Sequence, residues 1–343
     1  MKAIEITSPG VVRVVDRPEP VAGDGEVLLR VRRVGYCGTD LSSYRGINPL
    51  VSYPRVPGHE IGATIERLGS GVGEPWRVGQ NVLVIPYKNC GTCSACHVGR
   101  PNACSHNETL GVQREGAMTE LLAVPATKLI ASERLSWKEL ALVEPLTIGF
   151  HAAGRGRVTA NDTVAVLGCG AIGLGVIAGC TFRGARVIAI DVDDKKLSLA
   201  KRCGAMQAIN SATADLHGEL RALTEGQGPN VVIEAVGSPA TFRLAVDEVC
   251  YAGRVVYLGY SKKTVDYDST QFVLKEIDIL GSRNALPDDF ADVVGMLERG
   301  SFPVDEVVTH TVRIEEAADA FRQWSEDPAS VTKIQVMLSE ERG

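Results

Sequence analysis

Short apolar runs rich in β-branched residues dominate the first 130 positions, at residues 11–15, 26–34, 60–68 and 81–85, with clusters of Gly and Pro between them. Runs of that length and punctuation predict the strands of a compact β-rich domain. From Ala141 onward the pattern changes. Strand-like runs at 163–167, 186–190, 231–235, 254–258 and 277–280 alternate with helical stretches, and such alternation predicts parallel strands with crossover helices, a doubly wound α/β sheet. After about Arg283 the periodicity is helical again, at 290–298 and 317–324, and an apolar-polar tail at 332–338 is expected to return to the first domain. Residues 164–182 are apolar enough to raise a membrane span, with Gly175 and Gly179 as a small-xxx-small pair. The glycines of that stretch, and the strand pattern beyond it, favour a strand-turn-helix unit instead.

A chain of 343 residues that is 45% hydrophobic buries a sizeable core and suggests two domains. Its net charge of -6 gives no basic field for nucleic acid or an anionic membrane surface, so a small-molecule substrate is expected. The opening MKAIEITSPG has no apolar stretch behind a basic one, so a cytoplasmic location is expected. Nine cysteines, an odd number in such a chain, point to thiolate ligands rather than a disulfide framework.

Four of them, Cys90, Cys93, Cys96 and Cys104, form C-x2-C-x2-C-x7-C in a loop containing Gly, Asn and Pro. Spacings this short let one loop wrap a tetrahedral ion, and four thiolates close its shell. Iron-sulfur clusters also take four thiolates, but with different spacings; a structural zinc that orders a lobe at about 88–106 is the expectation. His97 and His106 stand beside it as bystanders.

A second set of ligand types is scattered. Cys37 lies in Gly35-Tyr-Cys-Gly-Thr-Asp40, His59 and Glu60 in Gly58-His-Glu60, and Glu144 in Glu144-Pro-Leu146. Thiolate, imidazole and carboxylate from three segments suit a catalytic zinc with an open position, a Lewis acid that lowers the pKa of a bound hydroxyl. Further on, the strand ending at Leu167 runs into Gly168-Cys-Gly170-Ala171-Ile172-Gly173, and Asp191 ends the next strand 18 residues later. Strand, glycine turn, helix and acid at this separation form a dinucleotide fingerprint. Gly168 permits the turn, Gly170 admits the pyrophosphate to the helix N-terminus, and Gly173 allows close packing. Asp191 would accept the ribose hydroxyls and repel a 2'-phosphate, favouring NAD over NADP.

With the C-G-T-D, G-H-E, four-cysteine, E-P-L and G-x-G-x-x-G motifs in this order across the whole chain, the sequence resembles the zinc-containing medium-chain alcohol dehydrogenases, and its E-P-L form the polyol branch. The resemblance implies a GroES-like catalytic domain of residues 1–148 and 284–343 and a Rossmann domain of residues 149–283. It implies two zinc ions per chain, with Cys37, His59 and either Glu60 or Glu144 on the catalytic one, and Asp40 hydrogen-bonded to the ligand histidine. Thr39 matches a hydroxyl that passes on the alcohol proton, while Ser42 stands where many relatives have a relay histidine. Val192 and Lys196 follow Asp191 near the ribose. Val236, Gly237, Leu258, Gly259 and Thr147 would lie along the nicotinamide half. In Gly281-Ser-Arg283-Asn284, a buried guanidinium would meet a polyol or sugar acid, with Arg114 as a second anion contact. The implied activity is NAD-dependent oxidation of a secondary alcohol, for example at carbon 5 of L-galactonate, L-gulonate or L-idonate. Alternatives are a threonine-dehydrogenase-like oxidation and a non-catalytic NAD-binding sensor. A homodimer or homotetramer, paired through an edge strand of the Rossmann sheet, is implied as well.

Overall fold

The computed structural model describes residues 1–339. They form two compact units, one of residues 1–144 with the chain from Val304 onward, the other Pro145–Pro303. The division thus falls at 144/145 and 303/304 rather than at 148/149 and 283/284. The later boundary moves because the helix Pro287–Glu298 packs in the second unit: its Phe290 and Val293 are fully buried, and Asp289 bonds His151 there.

The first unit is built on a seven-stranded sheet. Its path runs Val308–Arg313, Lys333–Met337, Glu26–Tyr36, Glu60–Leu68, Asn81–Val84 and Leu129–Ala131, with Leu121–Pro125 also pairing with Glu26–Tyr36. The tail does return to this unit: Lys333–Met337 runs antiparallel to Glu26–Tyr36. The strand Val308–Arg313, which lies between the two expected helical stretches and was not itself expected, pairs beside it in parallel. Apolar positions of these strands, with Phe321 and Trp324 of the amphipathic helix Ala317–Glu326, make one continuous core.

The second unit carries a six-stranded sheet in the order Gln207–Asn210, Arg186–Asp191, Thr163–Leu167, Val231–Glu234, Arg254–Tyr257 and Asp278–Gly281, every pair parallel. Central strands such as TVAVL and VVIE are buried throughout, as both faces of a parallel sheet are covered. The edge strand Gln207–Asn210 escaped the sequence reading because its four residues, QAIN, carry polar ends and no run of apolar positions.

The apolar segment resolves into the strand Thr163–Leu167 and the helix Ala171–Phe182, and no helix among the described residues is long and apolar enough to cross a membrane. Its glycines serve helix packing. A Cβ on Gly149 would sit 2.1 Å from the Gly175 carbonyl carbon, and one on Gly179 would sit 2.9 Å from the Phe150 Cα. Two backbones can approach this closely only where both helices present small residues.

Candidate metal centres and cofactor site

The four-cysteine lobe brings its sulfurs to the corners of a small polyhedron. Cys90 and Cys104 are 3.5 Å apart, Cys93 and Cys96 3.6 Å, and Cys93 and Cys104 3.8 Å. Four sulfurs at ~2.3 Å from a zinc ion would be separated by ~3.8 Å, whereas a disulfide would need ~2.0 Å. Main-chain N–H groups aim at the sulfurs: Cys90 Sγ accepts from Thr92 and Cys93, and Cys104 Sγ from Cys90 and His106. Hydrogen bonds from Thr92, then from Cys93, pull the Cys90 thiol down to about 5, and those from Cys96 and Ser105 pull Cys93 down to about 6. Burial and the neighbouring thiols push Cys96 up to about 12. The donor set fits zinc. His97 and His106 are exposed beside it.

The second cluster gathers Cys37, His59 and Glu60, whose ligand atoms all lie within 4.8 Å of one another. Cys37 follows the strand Glu26–Tyr36 and caps the helix Gly38–Tyr44; His59 and Glu60 lie where the neighbouring strand begins. The register sets Gly35 opposite Glu60, and a Cβ at Gly35 would lie 1.9 Å from Glu60 Oε2, so only glycine leaves room for this carboxylate. Glu60 is fully buried. Lys333 Nζ donates to its Oε1 at 2.6 Å and to the Tyr36 carbonyl at 3.2 Å, while Oε2 has no partner. Glu144, also buried, accepts from the Tyr87 hydroxyl at 2.5 Å. Burial holds Tyr87 well above its usual range, so it stays a donor.

Asp40 is fully buried but does not bond the histidine ring. Its oxygens accept from the main-chain N–H of Cys37 at 2.9 Å and of Gly58 at 3.4 Å, and His59 Nδ1 has no hydrogen-bond partner. The expected carboxylate–imidazole bond is therefore replaced by one that ties together the two loops bearing Cys37 and His59. The reason is that the cap position of Asp40 on its short helix turns the carboxylate back to the Cys37 N–H. Thr39 Oγ1 lies 3.6 Å from Cys37 Sγ.

Electrostatically this pocket asks for a cation. Burial raises the pKa of Asp40 and of Glu144. For His59, burial opposes the charged form, but Cys37, then Asp40 and Glu144, outweigh it and hold the ring well above its usual range. A divalent ion would accept the sulfur, the Glu60 Oε2 and an imidazole lone pair, relieving the orphaned atoms and the crowding of acids together. The residues fit zinc.

In the second unit, Gly168 has φ +93° and a Cβ on Gly173 would meet the Gly168 carbonyl oxygen at 1.8 Å; above Gly170 there is open space. Ala171 and Ile172 begin the helix Ala171–Phe182, whose N-terminus can receive a pyrophosphate there. Asp191 Oδ2 accepts from the Cys169 N–H at 2.7 Å, and Oδ1 from Val192 and Asp193. Val192 is exposed and Lys196 half-buried. The turns at Val236–Gly237 and Leu258–Gly259 pack directly together: a Cβ on Gly259 would meet the Gly237 nitrogen at 2.3 Å. Buried Glu234, which the sequence reading passed over, accepts from the N–H groups of Val236 and Gly237 and from Thr241. Thr147 is buried.

The substrate candidates are divided between the units. Arg114 is half-buried and donates to the Pro86 carbonyl at 3.3 Å, with burial lowering its pKa. The buried guanidinium expected at Arg283 is not found. This side chain is exposed, because it follows the edge strand Asp278–Gly281, and Asn284 has a left-handed backbone (φ +51°). Tyr87 and Lys333 were also missed from sequence, since a lone tyrosine and a lone lysine carry no ligand spacing.

Fold and clusters together define a zinc-type dehydrogenase, and comparison with known proteins agrees. Residues 23–134 match the alcohol dehydrogenase GroES-like domain and residues 171–299 the zinc-binding dehydrogenase family. The chain belongs to the zinc-type alcohol dehydrogenase family, with a GroES-like first unit and a Rossmann sheet in the second. Among its relatives is the starvation-sensing protein RspB of Escherichia coli K12, 36% identical over 99% of this chain and 100% of RspB. The L-galactonate-5-dehydrogenase of the same organism is 33% identical over 90% of each chain. The crystal structure of RspB from E. coli CFT073 with NADH superimposes with a TM-score of 0.90 at 34% identity, covering 98% of this chain and 99% of that one.

Proposed function

We propose that the chain oxidises a secondary alcohol of a polyol or sugar acid to a ketone, with zinc held by Cys37, His59 and Glu60 and with NAD as hydride acceptor. The observation that carries this is the cluster of Cys37, His59 and Glu60, in which the buried His59 Nδ1 and Glu60 Oε2 have no hydrogen-bond partner. Zinc bound there supplies a Lewis acid that makes a substrate hydroxyl acidic. Thr39, beside Cys37 Sγ, takes that proton onward, and Ser42 leaves the next step to water or to cofactor hydroxyls. Glu144, held by Tyr87, would add a second buried carboxylate to the pocket. Asp191 receives the adenosine ribose with Lys196 nearby, and its negative charge favours NAD over NADP. Arg114, Arg283 and Asn284 are the polar groups suited to a hydroxylated or anionic substrate, and the resemblance to L-galactonate-5-dehydrogenase supports a hexonate. We also propose that two copies pair through the edge strand Asp278–Gly281, where Ile279 is 42% exposed.

The test is the zinc-loaded chain offered NAD with hexonates, polyols, threonine and simple alcohols, followed by absorbance of the reduced cofactor. Turnover of a hexonate or polyol, about tenfold or more faster with NAD than with NADP, supports the reading. Turnover of threonine alone would move the substrate class to amino alcohols. Binding of zinc and NAD without turnover of anything would make the chain a sensor, the role that the name of RspB suggests for that relative.

A further inference from the structure

Lys333 lies far from every ligand motif in sequence, yet its side chain is 4% exposed and ends 2.6 Å from a carboxylate that is 0% exposed. Burying an ammonium group is costly unless charge and hydrogen bonds offset it. Here the buried Glu60 carboxylate supplies the opposite charge at hydrogen-bond distance. The Tyr36 carbonyl accepts a further proton of the ammonium group. Lys333 opens the strand Lys333–Met337, whose next residue pairs with Tyr36, immediately before Cys37. The ammonium group is thus fixed by sheet register and not by a mobile loop.

We propose that Lys333 is a positioning residue of the metal pocket: by holding Glu60 Oε1 it leaves Oε2 as the single oxygen offered to the ion, and its charge tempers the pocket's excess of acids. This rests on the functional reading above. The pocket collects Cys37, Asp40, Glu60 and Glu144, and a fixed cation among them weakens the grip on a divalent ion. It also leaves that ion more electron-withdrawing toward a bound hydroxyl. Lys333 therefore trades metal affinity for acidity of the substrate, without touching either the ion or the substrate.

The experiment compares the full-length wild type with K333M and K333R. Zinc retained against increasing chelator is the first readout, with the four-cysteine lobe as internal reference. The pH profile of kcat/KM with NAD is the second. K333M is expected to hold the pocket's zinc about tenfold or more tightly and to shift the profile upward by about one pH unit, since removing one charge at this range changes the pocket by more than one pKa unit. K333R is expected to stay near wild type in both. A K333M protein with unaltered chelator curve and pH profile overturns the proposal and leaves Lys333 a packing residue. If K333M does not fold, E60Q and the double variant E60Q/K333M replace it: the double variant is expected to retain pocket zinc about tenfold better than E60Q, whose Lys333 charge is unpaired. Equal retention in those two overturns the proposal. A wild type that holds zinc only in the lobe overturns both this proposal and the functional reading, and its own chelator curve tells that outcome from failure of the proposal alone.

Discussion

The four-cysteine lobe and the mixed pocket belong to the same unit and present zinc-binding side chains, yet they are assembled in opposite ways. The lobe draws all its ligands from one loop, surrounds each sulfur with main-chain N–H groups, and leaves three of the four cysteines half-exposed. The pocket draws Cys37, His59 and Glu60 from two chain segments, Glu144 from a third and Lys333 from a fourth, and all of these but the half-exposed Cys37 are buried. A shell of four thiolates is complete and can only hold structure together. A shell of three different groups, with a carboxylate shared with a lysine, leaves a position where chemistry can happen.

The largest effect should come from removing one ligand of each. Cys37→Ser is expected to lose the pocket's zinc and about a thousandfold or more of kcat/KM, the scale of a lost Lewis acid, while the melting temperature stays near wild type. Cys104→Ser is expected to lose the lobe's zinc and to lower the melting temperature by roughly 10 °C or more, because a structural zinc contributes directly to folding. Metal analysis with thermal melts and steady-state rates checks both. If Cys37→Ser melted as early as Cys104→Ser, the contrast between a chemical and a structural site would fail.

A smaller effect tests the supports of the pocket. Tyr87→Phe removes the hydroxyl that donates to Glu144 and leaves a buried carboxylate oxygen without it, at a cost of about 1–3 kcal/mol. We expect a roughly tenfold fall in kcat at saturating NAD, with zinc content of the lobe unaltered. A rise in KM for the alcohol with kcat preserved would instead place Glu144 in substrate binding.

These two sites also differ in how far they can be read from sequence. The lobe was fully legible, since its ligands recur within fifteen positions and the spacing alone implies a tetrahedral ion. In the pocket the ligand types were legible only through motifs resembling a family. Its supports were not: Lys333 and Tyr87 become neighbours of Glu60 and Glu144 only through sheet register and packing. Gly35 needs to be glycine only because Glu60 lies across the ladder from it. The parallel sheet was legible where strands are apolar throughout, as at Thr163–Leu167, and was lost at Gln207–Asn210, where an edge needs little apolar surface. The burial expected of Arg283 is not met, because arginine carries no mark of its burial; only the end of the edge strand shows it exposed.

The smallest effect sharpens the same contrast through protons. In the metal-free lobe, Cys90 and Cys93 are held at about 5 and about 6, below the ~8.5 of an ordinary thiol. A group whose folded pKa is depressed favours the folded lobe at pH above the unfolded value, and loses that advantage as pH falls through 6 and then 5. At pH 7.5 both are already thiolates, so at most two protons remain for zinc to displace from the lobe. Four ordinary thiols would release nearly four. Calorimetry of zinc binding to the metal-free Cys37→Ser protein in buffers of different ionisation enthalpy gives the number directly. About two or fewer protons would mean that the loop's N–H groups prepare the thiolates before the ion arrives. A value near four would mean that the ion, not the loop, makes the site, and the lobe would then be no more preorganised than the pocket.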